Sequence, residues 1–197
     1  FLEPFIEALE AIGVEIDEVI YNYDAYQSGK FAEASRTACN QADGIREIIE
    51  RVSGREIDEE WFPWNPIDSN GSMDGIRITG WEDPIVSWVD SQGNQGQSDV
   101  TKGEGKLPWR VDWPAKWVWR GVTMEPFGKD HGAAGGSYDT GKEISRLLGD
   151  EPPYPTTYEW ISLKGVGAMS SRTGVSSGPL KALRLVPPAI LRSRALI

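Results

Sequence analysis

The sequence predicts an α/β fold carrying a small β-rich insertion. Three observations lead there. Apolar residues recur at helical spacing, then in a Val/Ile/Tyr run, then at helical spacing again, across residues 1–53. That helix–strand–helix rhythm belongs to an α/β layer. Residues 61–105 change character, with frequent Gly, Asn, Asp, Ser and Pro between short apolar runs. Finally, a short apolar strand at 122–127 runs into a glycine-rich turn and then a helical pattern at 137–148.

Taken in order, Leu2, Phe5, Ile6, Leu9 and Ile12 form one helix face, stopped at Gly13. Val14 to Tyr23 reads as a strand, and Ser28-Gly29 as a turn. Phe31, Ala34, Ala38, Ala42, Ile45, Ile49 and Val52 predict one long helix over 30–53, stopped by Ser53-Gly54. The insertion contains two strand-like runs, 75–79 and 85–89, with turns at Asn70-Gly71 and Gln92-Gly93. A tryptophan-dense stretch at 107–120 is interrupted by Pro108 and Pro114. After the 137–148 helix, Pro152, Pro153 and Pro155 make a stiff loop. Tyr158 to Leu163 reads as a strand, 165–178 as a Gly/Ser loop, and 180–185 and 188–197 as helices. The expected divisions are 1–60 and 106–178 as two parts of one domain, 61–105 as the insertion, and 179–197 as the start of a helical region.

Composition sets limits. The 197 residues hold enough apolar side chains, 39%, for a globular protein rather than a disordered one. No apolar run approaches the ~18 residues that span a bilayer, and no secretion signal is visible. One cysteine, Cys39, permits no internal disulfide and no cysteine-based zinc site, and fits a reducing, cytoplasmic setting. The chain begins at Phe1 inside one helical pattern and ends at Ile197 inside another, so an internal fragment of a longer protein is expected. The net charge of -10 argues against a surface that coats nucleic acid, and no DNA partner is expected. Residues 1–100 carry 21 acids against 6 bases, and residues 101–197 carry 9 against 14, so an anionic ligand belongs with the second half.

Four segments carry chemistry-bearing residues. Gly128-Lys129-Asp130-His131 lies where a strand gives way to a helix, the position at which open α/β sheets bind ligands. Glycines there admit close backbone approach, free N–H groups attract anions, and Asp130 suits ribose hydroxyls. His131 is the only histidine. The polar stretch 168–174 offers serines, backbone amides and Arg172 to phosphates, although by itself it reads as an ordinary flexible loop. The run Leu107 to Pro114 sets aromatics beside Arg110 and Asp112, suited either to walling a cationic ligand or to filling a core. Asp68, Asp74, Glu82, Asp83 and Asp90 in the insertion match no metal-loop spacing and read as solvated turns, so no metal site is assigned.

The residues from Lys106 to Trp117, from Gly121 to His131, from Ala134 to Gly141, and Met169-Ser170-Ser171, in that order and spacing, closely resemble class I lysyl-tRNA synthetases of the archaeal type. The close match covers about residues 104–174. The resemblance implies a Rossmann-type catalytic domain that activates L-lysine with ATP and Mg²⁺ and then charges tRNA(Lys). It implies that Gly128, Lys129, Asp130 and His131 line the adenylate site. It implies that Trp109, Asp112, His131 and Tyr158 form the lysine pocket, with either Asp112 or Asp130 pairing the ammonium. Aromatic walls suit a ligand with a long apolar stem and a terminal ammonium. Met169, Ser170, Ser171 and Arg172 stand where the family has its mobile phosphate-holding loop.

The sequence also departs from that pattern. The family's early His-x-Gly-Asn motif is absent, since the sole histidine is His131, so half of the ATP site would be missing and the chain alone is expected to be inactive. Ala168 stands where the phosphate loop has lysine, leaving Arg172 or Lys164 to supply the charge. Asp68, Gly71, Asp90 and Gln92 stand near where many relatives carry a cysteine knuckle, so no structural zinc is expected. Two competing readings are a class I synthetase-like nucleotidyl transferase for another amino acid, such as glutamate or glutamine, and a Trp-rich module binding sugar or peptide.

Overall fold

Two parallel strands, β6 (Met124–Gly128) and β7 (Tyr154–Tyr158), carry the candidate site, and helix α6 (Ser137–Leu147) connects them. Their register pairs Met124 with Tyr154 and Gly128 with Tyr158, so both strands end at the same level. Parallel neighbours need a crossover of this kind, which makes β6-α6-β7 a βαβ unit and confirms the α/β class. The computed structural model describes residues 2–160, 162, 163, 165, 167, 168 and 179–195. They fall into two compact units, Tyr21–Glu159 and Phe1–Ile20 with Trp160–Ile197.

In the larger unit, α5 (Trp109–Arg120) packs along α6. Further layers come from α2 (Asn22–Gln27), α3 (Ala32–Asn40) and α4 (Ala42–Ser53). The predicted helix over 30–53 is therefore two helices. Gln41 (φ −103°, ψ 19°) leaves the helical region and separates them. Left-handed Gly54 closes α4, as the Ser53-Gly54 signal predicted. The main core gathers Phe31, Ile45, Trp64, Leu107, Val111 and Ile144, all fully buried. A second cluster of Trp117, Phe127 and Tyr138 lies under the site, with Trp113 packed on it.

The expected break at Pro114 does not occur. Helix α5 starts on the carbonyl of Pro108, which accepts from Val111 and Asp112, and continues through Pro114. The buried Pro114 ring fills space beside Gly141 of α6, and that packing offsets the lost backbone bond.

The insertion is an antiparallel meander, β2 (Arg77–Glu82), β3 (Ile85–Val89) and β4 (Gln95–Asp99). Strands β1 (Asn65–Pro66) and β5 (Gly105–Lys106) pair where the chain leaves and returns. Its two sharp turns share one construction. Asp68 Oδ1 accepts from the N–H groups of Asn70 and Ser72, and Asp90 Oδ1 accepts from Gln92 and Asn94. Gly71 (φ 80°) and Gly93 (φ 88°) take the left-handed residue of each turn. The two aspartates that stand near the knuckle positions thus order their own loops by hydrogen bonds.

The smaller unit holds α1 (Leu2–Ala11), α7 (Pro179–Leu183), α8 (Pro188–Ala195) and the short pair β8 (Ser162–Leu163) with β9 (Gly167–Ala168). Helix α1 packs on α7, and Arg192 of α8 donates to the Ile12 carbonyl. The predicted strand over Val14 to Tyr23 is not formed. Residues 14–21 have no regular structure and 22–27 belong to α2. A strand exists only through a paired neighbour, and among the described residues none pairs with this segment. The predicted strand over 158–163 likewise splits between β7 and β8. No helix among the described residues is long and apolar enough to cross a membrane.

Candidate active site

The site is built at the carboxyl ends of β6 and β7. Gly128 ends β6, and the chain turns at once. The His131 N–H bonds the Gly128 carbonyl at 3.0 Å, and Gly132 bonds the Lys129 carbonyl at 3.1 Å. The Tyr138 N–H returns to the His131 carbonyl at 3.0 Å, which ties the turn to the first residues of α6. Gly135 (φ 70°) adopts a left-handed conformation, and a Cβ there would stand 2.9 Å from the Val52 carbonyl oxygen. Only glycine meets both demands. Asp139 accepts from the Gly135 N–H at 3.0 Å and pairs with Lys142 at 2.8 Å. The Lys142 hydrogen bond holds the Asp139 carboxyl below the usual range.

An aromatic wall stands over this turn. Trp109 and Trp113, one helical turn apart on α5, stack with ring centroids 5.5 Å apart. The His131 ring lies 5.3 Å from Trp109 and 5.8 Å from Trp113. Its Nδ1 is 3.5 Å from Ser137 Oγ, and its Nε2 is 3.9 Å from Asp130. Trp109 is 50% exposed and Tyr158 60% exposed, so both offer ring surface to a ligand. Asp130 Oδ1 crowds the Gly128 backbone at 2.8 Å from where a Cβ would stand, and the Tyr158 ring edge is 3.7 Å from the same point.

The structure therefore brings Trp109, Gly128, Asp130, His131 and Tyr158 together. Lys129 is close by but engaged: its Nζ pairs with Glu159 at 2.5 Å, and its N–H bonds the Tyr158 carbonyl. Asp112 is committed elsewhere. Its Oδ1 accepts from Tyr26 Oη at 2.7 Å and its Oδ2 from Lys116 Nζ, so it anchors α5 to α2 instead of facing the wall. Of the two aspartates considered for the ammonium, Asp130 is the one beside the His131 ring. Met169, Ser170, Ser171, Arg172 and Lys164 lie outside the described residues.

Glu125 is the principal residue that the sequence reading missed. From β6 it accepts from Trp113 Nε1 at 3.2 Å and from Trp117 Nε1 at 2.9 Å, so one carboxylate sets two indoles. The signal was available in outline, since Glu125 shares a strand face with buried Phe127, two residues on, and the next segment back is a tryptophan-rich helix. Ser137 and Glu159 were also missed.

The description "tRNA synthetases class I (K)" belongs to a family model that matches residues 1–195. The chain is 47% identical over 197 residues to a lysine–tRNA ligase of Methanosarcina barkeri (strain Fusaro / DSM 804), covering 98% of this chain and 36% of that protein. It is 43% identical over 194 residues to a lysine–tRNA ligase of Thermoplasma acidophilum, covering 98% of this chain and 38% of the relative. It is 44% identical over 194 residues to one of Archaeoglobus fulgidus, covering 98% and 39%. The chain thus spans little more than a third of the length of these curated relatives. A glycine turn at the end of a parallel strand, an aromatic wall above it, and a match along nearly the whole chain lead to one conclusion: the chain belongs to the class I (K) tRNA synthetases.

Proposed function

We propose that this chain is part of a lysine–tRNA ligase, which activates L-lysine with ATP and passes it to tRNA(Lys) in the cytoplasm. The observation that carries the reading is the wall of Trp109, Trp113 and His131 over the Gly128–Asp130 turn. The relatives' name, lysine–tRNA ligase, supports it. The four-carbon stem of lysine lies along the indole faces, and Asp130 pairs with its ammonium. Tyr158 borders the same space. The Gly128 backbone lets the nucleotide approach closely.

In the reaction, a lysine carboxylate oxygen attacks the α-phosphorus of ATP. The new O–P bond forms as the bond from that phosphorus to the bridging oxygen breaks, and pyrophosphate leaves. A terminal tRNA hydroxyl then attacks the carbonyl carbon, and AMP leaves. The protein contributes positioning and charge stabilisation, with no covalent nucleophile. Met169, Ser170, Ser171 and Arg172 are proposed to hold the departing phosphates. Mg²⁺, when bound, shares the pyrophosphate charge.

Amino-acid-dependent exchange between ATP and pyrophosphate, in the enzyme containing this chain, tests the reading. Lysine is expected to support exchange, and glutamate and glutamine are not. Exchange with either of those instead would assign the chain to a synthetase of other specificity.

A further inference from the structure

Glu125 carries a charge that its surroundings leave uncompensated. It lies half-buried on β6, and its two oxygens accept from Trp113 Nε1 at 3.2 Å and Trp117 Nε1 at 2.9 Å. Both donors are neutral. The ion-paired cations of the adjoining elements hold other carboxylates. Lys116 of α5 pairs with Asp112, Lys129 after β6 with Glu159, and Lys142 and Arg146 of α6 with Asp139 and Glu151. Among the described residues no cation pairs with Glu125. A carboxylate drawn partly out of water without a counter-ion is unfavourable, so its place in the fold calls for a reason.

Trp113 joins this carboxylate to the aromatic wall. Its Nε1 edge bonds Glu125, and its face carries the exposed Trp109 ring, stacked at 5.5 Å. The His131 ring meets it at 5.8 Å. The negative face of an indole attracts a cation electrostatically. A hydrogen bond polarises the group that donates it, and a carboxylate acceptor pushes electron density back onto the ring. Two effects therefore add at one place: the quadrupole of the rings and a full negative charge bonded to their edge. Neither acts on an apolar stem. Both favour a positive side-chain tip and oppose a negative one.

We propose that Glu125 is a specificity-determining residue: its charge, carried to the wall through Trp113, selects an amino acid with a cationic side chain and rejects an acidic one. The proposal rests on the lysine reading of the wall. Glu125 touches no substrate and acts through the rings. Fixing the rings needs only an acceptor, whereas selecting a cation needs the charge. Glu125→Gln separates the two roles, because the amide keeps one acceptor oxygen at the same reach and loses the charge.

Steady-state ATP–pyrophosphate exchange by the enzyme containing this chain, with norleucine as competitive inhibitor, tests this. Norleucine is lysine without its side-chain ammonium, so it reads the apolar contacts alone. Glu125→Gln is expected to raise the lysine KM at least about threefold, the scale of a weakened cation–ring contact, with kcat within about twofold. The norleucine inhibition constant is expected to stay within about 1.5-fold, since no cation is involved. Equal weakening of lysine and norleucine reduces Glu125 to ring placement and overturns the proposal, as does an unchanged lysine KM. Should Glu125→Gln fail to fold, it is made together with Trp117→Phe, so that the one amide oxygen serves Trp113 and no Trp117 donor is left unpaired. Comparison with Trp117→Phe alone then isolates the charge, with the same expected and overturning results. An unaltered enzyme without lysine-dependent exchange fails the lysine reading, and this proposal with it. A lysine-active enzyme in which Glu125→Gln weakens both ligands equally fails this proposal alone.

Discussion

Trp109 lies against Trp113 with ring planes 18° apart, and this stacked pair forms the exposed face of the candidate lysine pocket. Trp113 is held from behind, edge-on to Phe127 at 5.6 Å and bonded to Glu125. The outer ring is free to meet a ligand because the inner ring is fixed.

Glu125 should therefore matter to both stability and site shape. Glu125→Ala leaves Trp117 Nε1 unpaired in a side chain only 2% exposed. A loss of about 1–3 kcal/mol is expected in urea denaturation, since an orphaned buried donor keeps its full desolvation cost. Glu125→Gln retains one acceptor oxygen and should lose less.

Gly141 tests the contact between the two helices. A Cβ there would stand 2.8 Å from Trp117 Cη2 and 2.9 Å from Cζ3. Gly→Ala inside a helix ordinarily gains about 0.5–1 kcal/mol. Here Gly141→Ala should instead destabilise by about 1–3 kcal/mol, because it overpacks a fixed ring. The same melts will read it.

Tyr26 links α2 to α5 over a long sequence distance. Its hydroxyl donates to Asp112 and accepts from the buried Leu107 N–H at 3.1 Å. Burial first, and then the Asp112 charge, raise its ionisation far above the usual tyrosine range, so it stays neutral at all working pH values. Tyr26→Phe removes both bonds and should cost about 1–3 kcal/mol in urea denaturation.

Asp90 predicts a pH effect in the insertion. The Asn94 side chain, followed by backbone N–H groups of its turn, holds its carboxyl below the usual range. A carboxyl with a lower pKa folded than unfolded stabilises above its unfolded pKa, near 4, and loses that contribution as pH falls through the folded value. Asp90→Asn should be less stable than the unaltered chain at pH 7, and the gap should narrow by pH 3. Paired denaturation curves at the two pH values measure it; a gap that stays constant would remove Asp90 from the account.

Where patterns are local, the sequence was readable. Alternation in Ile85–Val89, glycines at 71 and 93, and helical spacing in 137–148 all correspond to observed elements. The glycine turn and the Trp109–His131 neighbourhood were legible as a motif, and the structure brings those residues together. What failed depends on distant partners. Val14 to Tyr23 has strand composition but no described neighbour to pair with. Asp112 carries the right charge for the pocket, yet Tyr26, 86 residues earlier, takes it. Pro114 breaks no helix because tertiary packing against α6 outweighs its backbone cost. Glu125 had only the faint local signal of its strand face, since its role exists only once β6 lies beneath α5.

The central claim is that the Trp109 wall receives the lysine side chain while the nucleotide lies over the glycine turn. Steady-state ATP–pyrophosphate exchange by the enzyme containing this chain, with Trp109→Ala, tests it most directly. The account predicts a lysine KM raised at least about tenfold, the scale of a lost aromatic–cation contact, with the ATP KM within about twofold of the unaltered enzyme. A raised ATP KM with the lysine KM unchanged would contradict it, and would move the wall from the lysine pocket to the nucleotide site.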